Sequence, residues 1–506
     1  MFVLRTRKES TKVLQSAAAA FFAGALIFVT GCGGGKTAPV VTPGPGTVVT
    51  PTSSAVQGTS QQTYVTSGGT VSQPQDLTKV YIAAKVPGGP GSWTTIEANT
   101  KSDGTFEIAG VPTGKYWLLT PQGAYWTNAT SLDLGSDVLG RPGSSVPQRA
   151  TYLDIQLNGL KPWTDGDAIQ ILNPNLGQTF RYDWPDFSVP DVGETSTETV
   201  KAWTGPLSIA SQGDAWYASQ LLNTTVGGVS FRTLGRATPA LGVTQQDGGT
   251  TQLDGSLSNA PTSTVHLKVL GSQFAGIASV VNPGAQLHVT KLGVYIQPFT
   301  SSKGEIGNAP TLVERADQNP ITTDVDFGDI SYGNPFPSQW TPFVSLSYEF
   351  LVDYQAAGAS SGVTVPAEIS SSSTQLPTLS SPLLLPISPV RNAKLNGNSV
   401  SQPQSGIGLT PTLTWDAPAT GTVSGYRVTV YQLSKSGNSS AYRNVIDLYT
   451  NENTLAVPDG ILVSGQQYFF AVRAFSVPGV DFTKNPNRLA FPWAYADLLT
   501  SVVSTQ

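Results

Sequence analysis

Thr100-Lys-Ser-Asp-Gly-Thr-Phe-Glu-Ile-Ala-Gly-Val-Pro-Thr-Gly-Lys-Tyr-Trp-Leu118 sets the fold class of this chain. Asp103-Gly104 is a hairpin turn signal, because glycine takes positive φ at little cost. Phe106 and Ile108 alternate with Thr105 and Glu107, which gives a strand with one apolar face. Gly110-Val-Pro-Thr-Gly114 makes a second turn, and Tyr116 and Leu118 resume the alternation. Two short strands and two turns in nineteen residues describe a half-buried antiparallel sheet, with Val80–Val86 as a further strand-like run upstream.

The same grammar recurs along the chain. Gly425-Tyr-Arg-Val-Thr-Val-Tyr431 places Tyr426, Val428 and Val430 on one side and Arg427 and Thr429 on the other. Strand-like runs also cover 264–270, 286–296 and 343–352, and they read as antiparallel and half-buried. Gly 52 and Pro 37, with abundant Ser and Thr, supply turns between short strands, and helical periodicity is confined to a short stretch at 214–222. The expected fold is all-β, a set of tandem β-sandwich modules.

Two modules resemble known families. The spacing of Asp103, Gly104, Phe106, Val111, Pro112, Gly114, Tyr116 and Leu118 resembles the carboxypeptidase regulatory-like domain, a small transthyretin-like β-sandwich over 63–149. That family is non-catalytic, so the resemblance implies a scaffold or binding module, and its relation to starch-binding-like folds is an analogy only. The segment 381–506 resembles a fibronectin type III domain. Trp415 takes the place of the core tryptophan, and Leu462, Gly465 and Tyr468 match the tyrosine corner, whose hydroxyl bonds back to upstream backbone. The family's integrin-binding tripeptide is absent, so adhesion specificity does not carry over. Between them, 150–355 reads as one or two unassigned antiparallel sandwiches, and 356–380 as a Ser/Ala/Thr-rich linker.

The N-terminus reads as an export signal. Arg5, Arg7, Lys8 and Lys12 precede an uncharged apolar run from Val13 to Thr30. An uncleaved span needs roughly 17–25 residues, and this run sits at the low end. Val29-Thr30-Gly31-Cys32 resembles the lipobox of bacterial lipoproteins. The resemblance implies cleavage after residue 31, a diacylglyceryl thioether on Cys32, acylation of its amine, and stable anchoring without a spanning helix. Gly33 in place of Asp favours the outer over the inner membrane under the sorting rule of some double-membraned bacteria. Residues 32–62, lacking charge after Lys36, read as a disordered tether. Gly35-Lys36-Thr37 mimics the end of a phosphate-binding loop, but Thr30 stands where its first glycine belongs.

Composition narrows the chemistry. Cys32 is the sole cysteine, which excludes an internal disulfide, a thiolate enzyme after lipidation and a cysteine zinc site. Loss of residues 1–31 takes away four basic residues and Glu9, moving the formal charge from −5 to −8. With no basic block left, nucleic acid is not an expected partner. The two histidines, His266 and His288, each sit between apolar residues and so face the solvated side of a strand. Gly358-Ala-Ser360-Ser-Gly362 spells a nucleophile elbow without a following helix. Asp324, Asp326 and Asp329, and Asp165 with Asp167, are acidic clusters that lack EF-hand spelling.

The expected function is non-enzymatic and cofactor-free. The chain is read as an exported, lipid-anchored surface protein whose modules serve structure, adhesion or assembly with an envelope protein or polysaccharide. A carbohydrate-binding lipoprotein is the alternative, with Trp163, Trp184, Trp203 and Trp216 as sugar contacts and Trp117 and Trp126 of similar standing. An envelope hydrolase with a site in the middle region ranks third.

Overall fold

The architecture follows from where each alternating strand finds its partners in a computed structural model that describes residues 53–89, 92–183, 190–197, 199–203, 205–299, 309–488 and 490–506. The signal, Cys32 and most of the tether lie outside these residues. The described chain is all-β, and its helical segments are no longer than Gly271–Ala275.

In the first module, Ser53–Thr59, Thr105–Pro112, Asn99–Thr100 and Ser131–Asp133 form one sheet, and Ala83–Gly89, Ser92–Glu97, Tyr116–Thr120 and Gly123–Thr127 associate in another. Phe106 and Ile108 are buried with Val56, Val86, Leu118 and Tyr125, while Glu107 is exposed, so the alternation read from the sequence is realised. The turn before Thr105 is built as its residues require. Gly104 has φ +77°, and Asp103 Oδ1 accepts from the Thr105 amide at 2.9 Å. The module starts earlier than Thr63, however. Val56 is fully buried and pairs with Ile108. The tether therefore ends before Ser53, because Val56 is a core residue in a stretch whose Ser/Thr composition looks like linker.

The middle region is two sandwiches. In the first, Tyr152–Asn158 with Val200–Trp203 and Thr250–Ser256 shares a core with Ala168–Asn173, Gln178–Asp183 and Tyr217–Val226. In the second, the paired strands Thr262–Leu270 and Asp324–Gly333 share a core with Gln286–Gln297, Thr311–Arg315, Thr341–Tyr354 and Val363–Ser373. Two expectations fail here. The helix expected over 214–222 is a strand from Tyr217, paired on both sides, and its run from Ala218 to Leu221 is buried throughout. A strand covered on both faces loses the period of two that would reveal it. The linker expected over 356–380 contains the eleven-residue strand Val363–Ser373. Val365, Ala367 and Ile369 supply its apolar face, and its serines are small enough for close sheet packing, with Ser372 Oγ 3.1 Å from Ser345 Oγ.

The C-terminal module is a two-sheet β-sandwich. Arg391–Leu395, Thr412–Asp416 and Thr454–Ala456 form one sheet, and Ser439–Thr450, Gly425–Ser436, Gln467–Ser476 and Trp493–Leu499 the other. Trp415 is in the core. Tyr468 is buried, and its hydroxyl accepts from the Val463 amide at 2.9 Å, which is the corner geometry the motif predicts.

The modules are not separate beads. Val229–Ala237 pairs with Thr311–Arg315 across the two middle sandwiches, and Val363–Ser373 pairs with Trp493–Leu499 across the next junction. Leu448 and Tyr449 pair in parallel with Ala124 and Tyr125 of the first module. Paired strands thus cross three of the junctions, and the first module meets the first middle sandwich through single bonds, the Arg141 amide donating to the Asn175 carbonyl at 2.7 Å.

Candidate functional site

The tryptophans proposed as sugar contacts divide in two. Trp163 is 2% exposed and Trp216 is fully buried, stacked on Phe180 at 5.7 Å. Both are core, so neither offers a face to a sugar, and this part of the expectation is corrected. Indole area is worth more inside a small sandwich core than on its surface. Trp184 and the side chain of Trp203 lie outside the described residues.

Trp117 and Trp126 hold modules together. Trp117 is buried, with Trp126 at 5.2 Å and Trp93 beyond it at 6.4 Å. Trp126 Nε1 donates to Glu452 of the C-terminal module at 3.1 Å, and Lys115 forms an ion pair with the same carboxylate. Lys85 pairs with Asp459 close by. Tyr125 stacks on Tyr449 at 4.8 Å, and burial pushes both phenols to higher pKa.

The polar clusters have local explanations. His266 Nδ1 lies 2.7 Å from Asp329 and Nε2 lies 3.0 Å from Asp326. These carboxylates sit at opposite ring nitrogens, so the three groups do not converge on one point. Asp324 accepts from Ser272 Oγ at 2.7 Å. Asp326 caps the Gly328 amide at 2.9 Å, and that hydrogen bond leads the causes that lower its pKa. Among the described residues no group of three or more His, Asp or Glu side chains is placed to hold a metal ion. His288 is exposed, as its strand position predicts. Asp167 is buried and accepts from the Asn223 amide at 2.7 Å and from Thr164 Oγ1 at 2.9 Å, which fixes a turn. Ser360 is exposed and is followed by the 363–373 strand, not a helix, so the elbow spelling has no elbow.

A cleft that motif reading missed lies between the first and C-terminal modules and has a volume of about 700 Å³. Its floor is the outer face of the sheet containing Ser53–Thr59. Ser131, Gln57 and Glu107 line up across three strands, and Asp133, Thr59 and Thr105 form the next row. The face beneath is core, and the Phe106 ring lies under Gly58, where an added Cβ would come within 2.1 Å of it. Lys101 lines one side. The opposite wall is the loop 481–485, seated by the Asp133 amide donating to the Lys484 carbonyl at 2.8 Å. Arg488 reinforces the seat by bridging Asp133 at 3.1 Å and Asp137 at 2.7 Å. The loop is braced internally. Asp481 accepts from the Thr483 amide and hydroxyl and from Asn451. Burial raises the Asp481 pKa, but these hydrogen bonds outweigh it and leave the carboxyl below its ordinary value. No sequence motif marks the cleft, because its two walls are some 350 residues apart.

No family model and no curated protein matches the chain. Among solved structures it is similar to the chicken CNTN1 FN1-FN3 domains, with 8% identity over 89% of this chain and 96% of that one at a TM-score of 0.13. It is also similar to the Streptococcal ancillary pilin, with 10% identity over 62% of this chain and 95% of that one at a TM-score of 0.11. The all-β fold rests on the chain's own sheets and registers.

Proposed function

We propose that this chain is a non-enzymatic envelope lipoprotein, anchored by lipid on Cys32, whose fused sandwiches form a rigid structural and binding unit on a short tether. Rigidity is the property that carries the reading. Three junctions between modules are crossed by paired strands, so force or a bound partner at one module is transmitted to its neighbours. The first module is read as carboxypeptidase regulatory-like and the last as fibronectin type III, both scaffold folds. The partner is an envelope protein or polysaccharide, and the outer membrane is the favoured location. Labelled palmitate supplied to cells expressing the full chain tests the anchor. Label should enter the wild-type protein and be absent from Cys32→Ser, which should also leave the membrane fraction; equal labelling of both sinks the anchor. The carbohydrate-binding reading is favoured by one observation, the polar cleft at the first junction.

A further inference from the structure

We infer that the cleft beside Ser53–Thr59 binds a polysaccharide strand through its hydroxyls. The inference rests on the carbohydrate-binding reading and gives it a site. Three observations select this chemistry. First, the floor presents ordered rows of hydrogen-bonding side chains, Ser131–Gln57–Glu107 and Asp133–Thr59–Thr105, on a flat sheet face whose apolar residues point the other way. Asp133 is held by Arg488 and the Thr105 hydroxyl by Asp103, but a polyhydroxylated chain can pair with Ser131, Gln57, Glu107 and Thr59, which a lipid or an apolar peptide would desolvate at a cost. Second, the charges are of both signs, with Lys101 and Lys484 against Glu107, Asp133 and Asp481, so the site has no field suited to a polyanion. Third, an extended peptide adding to the outer edge of Ser131–Asp133 meets an obstacle, because the Asp133 amide is already taken by the Lys484 carbonyl. The opening of about 700 Å³ is within the roughly 300–1,000 Å³ of ligand clefts. The 481–485 loop is braced before any ligand arrives, which lowers the ordering cost of binding.

The test uses the full chain in detergent and isothermal titration with maltohexaose, cellohexaose, chitohexaose and mannohexaose. At least one should bind. Glu107→Ala removes a carboxylate acceptor, and Ser131→Trp fills the floor. Each should weaken binding by about tenfold or more, the size of a lost charge-assisted hydrogen bond. Melting temperatures should stay at the wild-type value, and the remote variant His288→Ala should bind as the wild type does. Silence from all four sugars overturns the inference. Binding that neither cleft variant changes also overturns it, and moves the sugar to another surface while the carbohydrate-binding reading survives. Dextran sulfate is titrated as the polyanion control, and binding by it alone, with affinity lost in salt, overturns the chemical class. Palmitate labelling of Cys32 is read separately, so failure of the anchor leaves the cleft result interpretable.

Discussion

Single side chains in this protein do most for stability where they satisfy a buried partner. Tyr468 is itself buried, and its hydroxyl holds the amide of the exposed Val463. Tyr468→Phe removes that acceptor and should cost about 1 kcal/mol, measured by urea unfolding. An unchanged midpoint would mean that water replaces the hydroxyl. Trp216→Ala removes a fully buried indole and should cost about 3–5 kcal/mol. A sugar platform on the surface would lose binding with no loss of stability, so the two roles separate cleanly. Glu314 links stability to pH. Burial raises its pKa, but Arg181 and Arg232 beside it bring it below the ordinary glutamate value. A carboxyl lowered in the folded state stabilises above its unfolded pKa, about 4.3, and that contribution fades as pH falls through the folded value. Glu314→Gln should therefore show a shallower loss of stability on acidification than wild type, with urea midpoints compared across the acid limb. Parallel curves would refute the linkage.

At the scale of the element, turns and edges decide register. Gly104 closes the turn before Thr105 with φ +77°, and an added Cβ would meet the Ser60 carbonyl at 2.7 Å. Gly104→Ala faces both backbone strain and that contact, and should destabilise the first module by about 1–3 kcal/mol. Hydrogen exchange would report it as faster opening of Ser53–Thr59 and Thr105–Pro112, and unaltered exchange there would count against the geometry. The strand Val363–Ser373 shows the opposite case, an element whose residues hide it. Its serines resemble linker, yet it has neighbours on both sides. Pro366 falls in the half of the strand before the second neighbour begins at Ile369, which is where a missing amide is tolerated.

At the scale of the whole molecule, strand pairings and ion pairs cross the seams between modules. Arg473 lies 3.7 Å from the Tyr495 ring centroid and forms a fork with Asp497 at 2.7 Å on each arm. Burial works against the Arg473 charge, but Asp497 beside it overcomes this and raises its pKa. Asp497 also accepts from the Glu368 amide at 3.0 Å, joining the C-terminal module to the strand of the middle region. Asp497→Ala leaves a buried guanidinium unpaired and should cost about 3–5 kcal/mol. Calorimetry should show one main transition for the wild type and a split one for the variant, as the C-terminal sandwich melts away from its neighbour. A split transition in the wild type would refute the rigid-unit reading.

The residues alone determined the all-β class, because alternation around Phe106 and Ile108, and around Tyr426, Val428 and Val430, is a local property of the strand. They determined the tyrosine corner as well, since Leu462, Gly465 and Tyr468 lie within seven positions of each other. Tertiary structure decided what depends on partners far away in the chain. Val56 is core only because Ile108 pairs with it, and Tyr217–Val226 is a strand only because it is flanked on both sides. Trp126, which as an isolated residue could face a sugar, is committed to a junction by Glu452, and Trp117 is buried beneath it. The cleft belongs to the same class. Burial and convergence are set by contacts between distant segments, and no local pattern of residue types encodes them.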